Sequence, residues 1–176
     1  AAVLGSGAWG TTFAQVLADA GCTVRLWGRN ADVAHQITTE HVNGRYLPGV
    51  ELPESVSATT DVVEALDGVD LVVVAIPSQS ARATLEPLRD LVPPTAVAVS
   101  LMKGVELSTD RRMSEVVTEA LAIDASRVAV VSGPNLAGEI ARRQPTATVV
   151  SSSDPQTAAL VAKACSSGYF RPYTNA

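Results

Sequence analysis

The sequence is poor in most of the residues that advertise a chemistry. It has two cysteines, Cys22 and Cys165, and two histidines, His35 and His41. Two distant cysteines with no CxxC spacing build neither a disulfide framework nor a recognisable metal cluster; they suit a reducing, cytoplasmic compartment, and no metal site is expected. Both read as small buried hydrophobes. The histidines have no carboxylate at a useful spacing and read as surface residues, and no Ser/His/Asp arrangement stands out. No apolar run approaches the roughly 18 residues of a membrane span, so no integral membrane segment is expected. No basic stretch precedes the first apolar residues, so no signal peptide is read in this sequence. The net charge of −5 gives nucleic acid or an acidic membrane surface no electrostatic footing. Aromatic residues make up only 4%, and the abundant alanine and valine in their place suit helices lying close on a sheet.

What is present begins at the first residue. Ala1-Ala2-Val3-Leu4 is a short apolar run, followed at once by Gly5-Ser6-Gly7-Ala8-Trp9-Gly10. A Gly-x-Gly-x-x-Gly between a strand-like run and a helix-like stretch is the context in which that pattern binds a dinucleotide. Gly5 then serves the tight turn, Gly7 lets the backbone approach a pyrophosphate, and Gly10 permits close helix–strand packing. The helix after it aims unpaired N–H groups and its positive dipole end at that anion. The alternative is a glycine-rich turn that only connects two elements.

Strand-like and helix-like stretches alternate through the rest of the 176 residues. Trp9, Phe13, Val16, Leu17 and Ala20 share one helix face, closed by Gly21. Thr23–Trp27 reads as a strand, and Asn30 caps a helix carrying Val33, Ala34 and Ile37. Residues 43–54 break all periodicity and read as a loop. Val56–Ala58 is a short strand, and Asp61 with Glu64 forms a capping box for the next helix. Asp70–Ile76 and Ala96–Val99 are β-branched or small apolar runs suited to strands buried on both faces. Between them, Ser78 or Ser80 starts a helix with Ala81, Leu85 and Leu88 on one side. Asp110 opens a helix with Met113, Val116, Val117, Ala120 and Leu121 as its core face. Val128–Val131 is a strand, and a helix passes through Glu139 and Ile140. Thr146–Val150 is a strand, Asp154-Pro155 starts a helix, and Tyr169–Tyr173 is a final strand that Pro172 confines to an edge. The pattern predicts one α/β domain, a doubly wound Rossmann-type mostly parallel sheet with helices on both faces.

Ligands of such sheets sit beyond the carboxyl ends of the strands, at the point where strand order reverses. Those ends are Gly5–Gly10, Gly28-Arg29, Pro77-Ser78, Lys103-Gly104 and Gly133-Pro134-Asn135, with no carboxylate among them. That edge is suited to an anion. An NAD-preferring site places an acidic residue after the second strand for the ribose 2′-hydroxyl; here Arg29 stands instead, a cation where a 2′-phosphate would lie. The competing reading of Arg29 is a solvated loop arginine, which the dipole of the following helix disfavours. Lys103 is either a point charge for a phosphate or a surface lysine. Residues 132–135 either present backbone N–H groups and an amide or form a plain βα turn. Tyr46 either stacks on a flat ring or pins its loop.

In order and spacing, Gly5-Ser6-Gly7-Ala8-Trp9-Gly10-Thr11, Leu26-Trp27-Gly28-Arg29, Tyr46-Leu47-Pro48-Gly49, Ile76-Pro77-Ser78-Gln79, Lys103-Gly104 and Ser132-Gly133-Pro134-Asn135 resemble bacterial-type NAD(P)-dependent glycerol-3-phosphate dehydrogenases. The resemblance runs the whole length of the chain. It implies NADP or NAD as cofactor and hydride transfer with dihydroxyacetone phosphate, a small phosphate substrate, giving sn-glycerol 3-phosphate for phospholipid synthesis. It implies cofactor contacts at Gly5, Gly7, Ala8, Trp9, Gly10, Arg29, Tyr46, Pro77, Lys103 and Ala137, and substrate contacts at Lys103, Gly133 and Asn135. Thr12-Phe13 and Leu136 depart from the family's usual residues on expected packing faces. The family continues past Tyr173-Thr174-Asn175 into an all-helical domain that begins with the proton-transferring lysine, so residues 1–176 are expected to be the dinucleotide-binding domain, with no catalytic acid or base of their own. A homodimer is implied for the full-length protein. Two other readings are a related dehydrogenase acting on another small anionic carbonyl compound, and a dinucleotide-sensing or regulatory module that performs no reaction.

Overall fold

The computed structural model describes residues 1–175. Eight strands form one sheet: β1 (Ala2–Leu4), β2 (Val24–Trp27), β5 (Val56–Thr59), β6 (Leu71–Val74), β7 (Val97–Ser100), β8 (Val128–Ser132), β9 (Thr146–Ser152) and β10 (Phe170–Asn175). Their order is β10-β9-β8-β7-β6-β1-β2-β5. Six strands from β5 to β8 run parallel; β9 pairs antiparallel with β8, and β10 pairs parallel with β9. The chain winds outward from β1 through β2 to β5, then crosses back to β6 on the other side of β1. The reversal of strand order therefore falls between β1 and β6. β10 lies at the sheet edge, where Pro172 removes no ladder bond to a further strand.

Among the described residues, seven α-helices cover both faces: α1 (Ala8–Asp19), α2 (Ala31–Thr39), α3 (Val62–Leu66), α4 (Ala81–Leu85), α5 (Met113–Leu121), α6 (Ala137–Ala141) and α7 (Pro155–Cys165). The period-2 alternation of the strands sorts them. Val3, Leu71, Val73, Val97 and Val99 point into a core shared with α1, α2, α6 and α7, which includes Phe13, Ile37, Ile140, Val161 and Phe170. Ala2, Leu4, Val72, Val74 and Ala98 point the other way, onto Leu66, Leu85, Met113, Val116 and Val117 of α3, α4 and α5. The central strands are buried on both faces, which is why they read as continuous apolar runs. At the end of α1, Gly21 N–H reaches the Ala18 carbonyl and Cys22 N–H the Leu17 carbonyl, satisfying carbonyls the helix leaves open.

The structure departs from the sequence pattern in several places. Residues 43–54 are not a plain loop: Val42–Asn43 (β3) and Leu47–Glu51 (β4) form a two-stranded antiparallel hairpin. The stretch after Pro77 is not one helix but a 3₁₀ turn at Ser78–Ser80, α4, and a second 3₁₀ segment at Glu86–Leu91, whose Pro87 lacks the N–H an α-helix would use. Asp110 does not open α5; it adopts φ +57° in a turn whose N–H bonds the Glu106 carbonyl, and the helix starts at Met113. Asp61 caps α3 through Val63 and Glu64 N–H, but Glu64 does not close the box: the Asp61 N–H donates to Thr59 Oγ1 at 3.0 Å instead, and that hydroxyl donates to Glu64 at 2.6 Å. His41 is only partly exposed and adopts φ +53°. Cys165 is buried, as expected, while Cys22 is half-buried.

α1 is buried more widely than one apolar face allows. Every residue from Gly10 to Leu17 is inside, including Thr11, Thr12 and Gln15. The sheet takes one side, and α6 and the hairpin take the rest. Each buried polar side chain donates to a carbonyl: Thr11 Oγ1 to Ser6 O at 3.3 Å, Thr12 Oγ1 to Ala137 O at 3.3 Å, and Gln15 Nε2 to Ala141 O at 3.2 Å, while Gln15 Oε1 is left without a partner among the described residues.

Candidate dinucleotide cleft

The β1–α1 turn is shaped by close approach. Gly5 has φ +120°, and a Cβ there would stand 2.4 Å from the Ala75 carbonyl oxygen at the end of β6. A Cβ on Gly10 would stand 1.9 Å from the Gly5 carbonyl oxygen. No side chain fits either position, so α1 starts directly against the ends of β1 and β6. Gly7 is the opposite case: it has ordinary extended geometry as the N-cap of α1, and a Cβ there would meet nothing within 4 Å. Its open side faces a cleft of about 820 Å³ at the β1/β6 reversal. No side chain caps α1, so its first-turn N–H groups are left for a ligand. Bare backbone, open space and a positive helix end fit a dinucleotide pyrophosphate.

The cleft lining joins five strand ends. Gly5, Gly7, Trp9 and Gly10 come from the first turn, Arg29 from the end of β2, Tyr46 from the hairpin, Pro77 from β6, Lys103 from β7 and Asn135 from β8. Its ionisable side chains are Arg29, Tyr46 and Lys103, with no carboxylate or histidine. Arg29 is exposed immediately before Asn30, whose Oδ1 accepts from Val33 N–H and caps α2. Tyr46 is 42% exposed, with the Arg45 guanidinium 5.4 Å from its ring centroid. Lys103 Nζ donates to the Gly133 carbonyl at 3.1 Å, which bridges the ends of β7 and β8. The Asn135 side chain turns toward β9, its Nδ2 donating to Ala147 O at 3.3 Å and its Oδ1 lying 3.0 Å from Thr148 Oγ1.

The chain as a whole is similar in sequence and fold to known proteins. The family described as NAD-dependent glycerol-3-phosphate dehydrogenase N-terminus matches residues 1–158. The chain belongs to that family. Glycerol-3-phosphate dehydrogenase [NAD(P)+] of Streptomyces griseus subsp. griseus is 55% identical over 175 residues, covering 99% of this chain and 52% of that protein. The protein named glycerol-3-phosphate dehydrogenase [NAD(P)+] 2 of Mycobacterium tuberculosis is 54% identical over the same length and coverage. The crystal structure of glycerol-3-phosphate dehydrogenase from Coxiella burnetii superposes with a TM-score of 0.89 at 34% identity, over 99% of this chain and 53% of that one. The chain thus spans about half the length of the curated relatives it matches.

Within this family member, three of the expected contact residues stand outside the cleft lining. Ala8 is the first residue of α1, Ala137 the first of α6, and Gly133 presents its carbonyl to Lys103. Other residues belong to the site without having been singled out as contacts. Gly28 lines the cleft, and a Cβ there would stand 2.2 Å from Ser6 Oγ; the sequence marked it only as part of a strand end and of the Leu26–Arg29 motif. Asn43 is fully buried beneath the glycine turn. Its Nδ2 donates to Ser6 O at 2.9 Å and Thr11 Oγ1 at 2.8 Å, and its Oδ1 accepts from Tyr46 N–H at 3.2 Å. One amide therefore fixes the hairpin, with Tyr46, against the glycine turn. The sequence places Asn43 more than thirty residues from Ser6 and Thr11 and gives no sign of that contact.

Proposed function

We propose that this chain is the cofactor-binding portion of an NAD(P)-dependent glycerol-3-phosphate dehydrogenase, interconverting dihydroxyacetone phosphate and sn-glycerol 3-phosphate. The observation that carries the reading is a cleft at the strand-order reversal with cations at two strand ends, Arg29 and Lys103, and no carboxylate in its lining. The names of the relatives, each a glycerol-3-phosphate dehydrogenase [NAD(P)+], support the same cofactor and reaction.

In this reading the first-turn N–H groups of α1 and the bare edge at Gly7 hold the pyrophosphate. Arg29 meets a 2′-phosphate, so NADP is accepted alongside NAD; Trp9, Tyr46 and Pro77 wall the cleft, and Ala8 and Ala137 contribute through the helix starts they form. When bound, the nicotinamide supplies the hydride. Lys103 offers a compact ammonium to the phosphate substrate, beside the Gly133 carbonyl and the Asn135 amide. Reduction of a carbonyl leaves an alkoxide that needs a proton. We assign that proton transfer to the lysine of the helical domain implied by family resemblance, outside residues 1–176, which makes this chain the dinucleotide-binding domain. The two free cysteines, Cys22 and Cys165, fit a cytoplasmic setting.

Steady-state kinetics of the full-length protein and its Arg29→Ala variant test the assignment. Dihydroxyacetone phosphate should be reduced with either cofactor. Because Arg29 is exposed, its charge-assisted bond is screened, and the variant should raise KM for NADPH about tenfold while changing that for NADH less than about twofold. Equal loss with both cofactors would remove the 2′-phosphate role, and absence of turnover with dihydroxyacetone phosphate would remove the substrate assignment.

A further inference from the structure

Among the described residues, the Lys103 ammonium makes one hydrogen bond, to the Gly133 carbonyl. A flexible four-carbon stem held at one point does not fix its ammonium, so what fixes the main chain around it matters. Immediately after Lys103, Gly104 turns the chain with φ +92°, and the next residues are held by a side chain from a different strand end. Gln79 Nε2 donates to the Val105 carbonyl at 2.9 Å, and Leu107 N–H donates to Gln79 Oε1 at 3.1 Å. One amide thus makes the pair of bonds a neighbouring strand would make to alternate residues.

A second grip lies three residues on. Arg82 donates from Nε and Nη2 to the Glu106 carboxylate at 2.9–3.2 Å, and Thr109 Oγ1 donates to it at 2.6 Å. Glu106 is almost buried, and the Arg82 guanidinium holds its carboxyl below the ordinary range. Arg82 also pairs with Glu119 of α5 at 2.9 Å, so this grip is part of the packing of α4 on α5. Gln79 is different. It is exposed, it lines no part of the cleft, and it follows directly on Pro77 and Ser78, which do. Its amide links the β6 end of the cleft to the segment carrying Lys103.

We propose that Gln79 is a positioning residue for Lys103: by clamping Val105 and Leu107 it keeps the lysine main chain, and so the ammonium, at the β7 end of the cleft beside Gly133 O. The inference rests on the reading of Lys103 as a substrate contact. With the Arg82–Glu106 pair and the bridge between Val105 and Arg112 in place, loss of the Gln79 amide leaves the segment folded but freer to move.

The test is a double-mutant cycle in the full-length protein, with Gln79→Ala, Lys103→Ala and the combined variant, read as kcat/KM for dihydroxyacetone phosphate and as melting temperature. Two hydrogen bonds to an exposed amide place the expected loss for Gln79→Ala at about tenfold, carried mainly by KM, with the melting temperature within about 4 °C of the parent. In the Lys103→Ala background the same change should cost nothing further. Gln79→Glu keeps the acceptor for Leu107 N–H but sets a carboxylate oxygen against the Val105 carbonyl, and should lose as much as Gln79→Ala. Additive losses, an unchanged kcat/KM in Gln79→Ala, full activity in Gln79→Glu, or a melting temperature lower by more than about 10 °C would each overturn the positioning role while leaving Lys103 as it stands. Full activity in Lys103→Ala would instead overturn the reading of Lys103, and this inference with it.

Discussion

Replacing Gly10 by alanine should destabilise the protein by about 3 kcal/mol or more, although alanine is the better helix former by nearly 1 kcal/mol. The added methyl would stand 1.9 Å from the Gly5 carbonyl oxygen and 3.2 Å from Ala75 Cβ. The nearer obstacle is backbone, at a residue where an added Cβ would itself stand 2.4 Å from the Ala75 carbonyl oxygen. Relief therefore requires α1 to lift from the ends of β1 and β6 together. Chemical denaturation of Gly10→Ala against the parent measures the effect. A change below about 1 kcal/mol would mean that helix and strand are not in the close contact described.

Phe13→Ala should cost about 4 kcal/mol, the range found for emptying a buried aromatic site. Phe13 is 1% exposed and sits between two other rings: Trp9 at 5.8 Å and 63°, and Phe170 of β10 at 6.1 Å and 80°, both edge-on. Aromatic pairs of this geometry add to the area term. The residue also connects three parts of the molecule: the cleft wall through Trp9, the body of α1, and the edge strand through Phe170. Thermal unfolding should show a midpoint lower by about 10 °C. A loss near 1 kcal/mol would indicate that the surrounding core collapses into the space, and that β10 is not anchored through this ring.

The alternation of strand and helix was legible because the central strands are buried on both faces. Leu71–Val74 and Val97–Ser100 carry no polar alternation to confuse with a surface strand. The glycine turn was legible for a related reason: Gly5 and Gly10 answer steric demands that no other residue meets. The hairpin of β3 and β4 was not, because Gly44, Pro48 and Gly49 look like turn formers, and what orders the segment is Asn43 reaching Ser6 and Thr11. The start of α5 was missed for the same kind of reason. Asp110 looks like a cap, but the Glu106 carbonyl accepts from its N–H, and Glu106 is held by Arg82, 24 residues earlier in the chain. Local patterns report local forces; contacts that close only in the folded state leave no periodicity. The strand-end cations were visible in sequence, but their gathering around one cleft, and the exclusion of Ala8, Gly133 and Ala137 from its lining, depended on the fold.

The central claim is that the open edge at Gly7 receives the pyrophosphate of a nicotinamide dinucleotide. It is tested most directly by calorimetric titration of NADPH into the full-length protein and its Gly7→Val variant, alongside their melting temperatures without ligand. A Cβ at Gly7 meets nothing within 4 Å, so the added side chain starts out into the open cleft rather than into protein. The account predicts saturable one-to-one binding to the parent, at least about a hundredfold weaker binding to Gly7→Val, which forfeits the phosphate–backbone contacts, and melting temperatures within about 4 °C of each other. Equal affinity in the two proteins, or no binding by the parent, would contradict it.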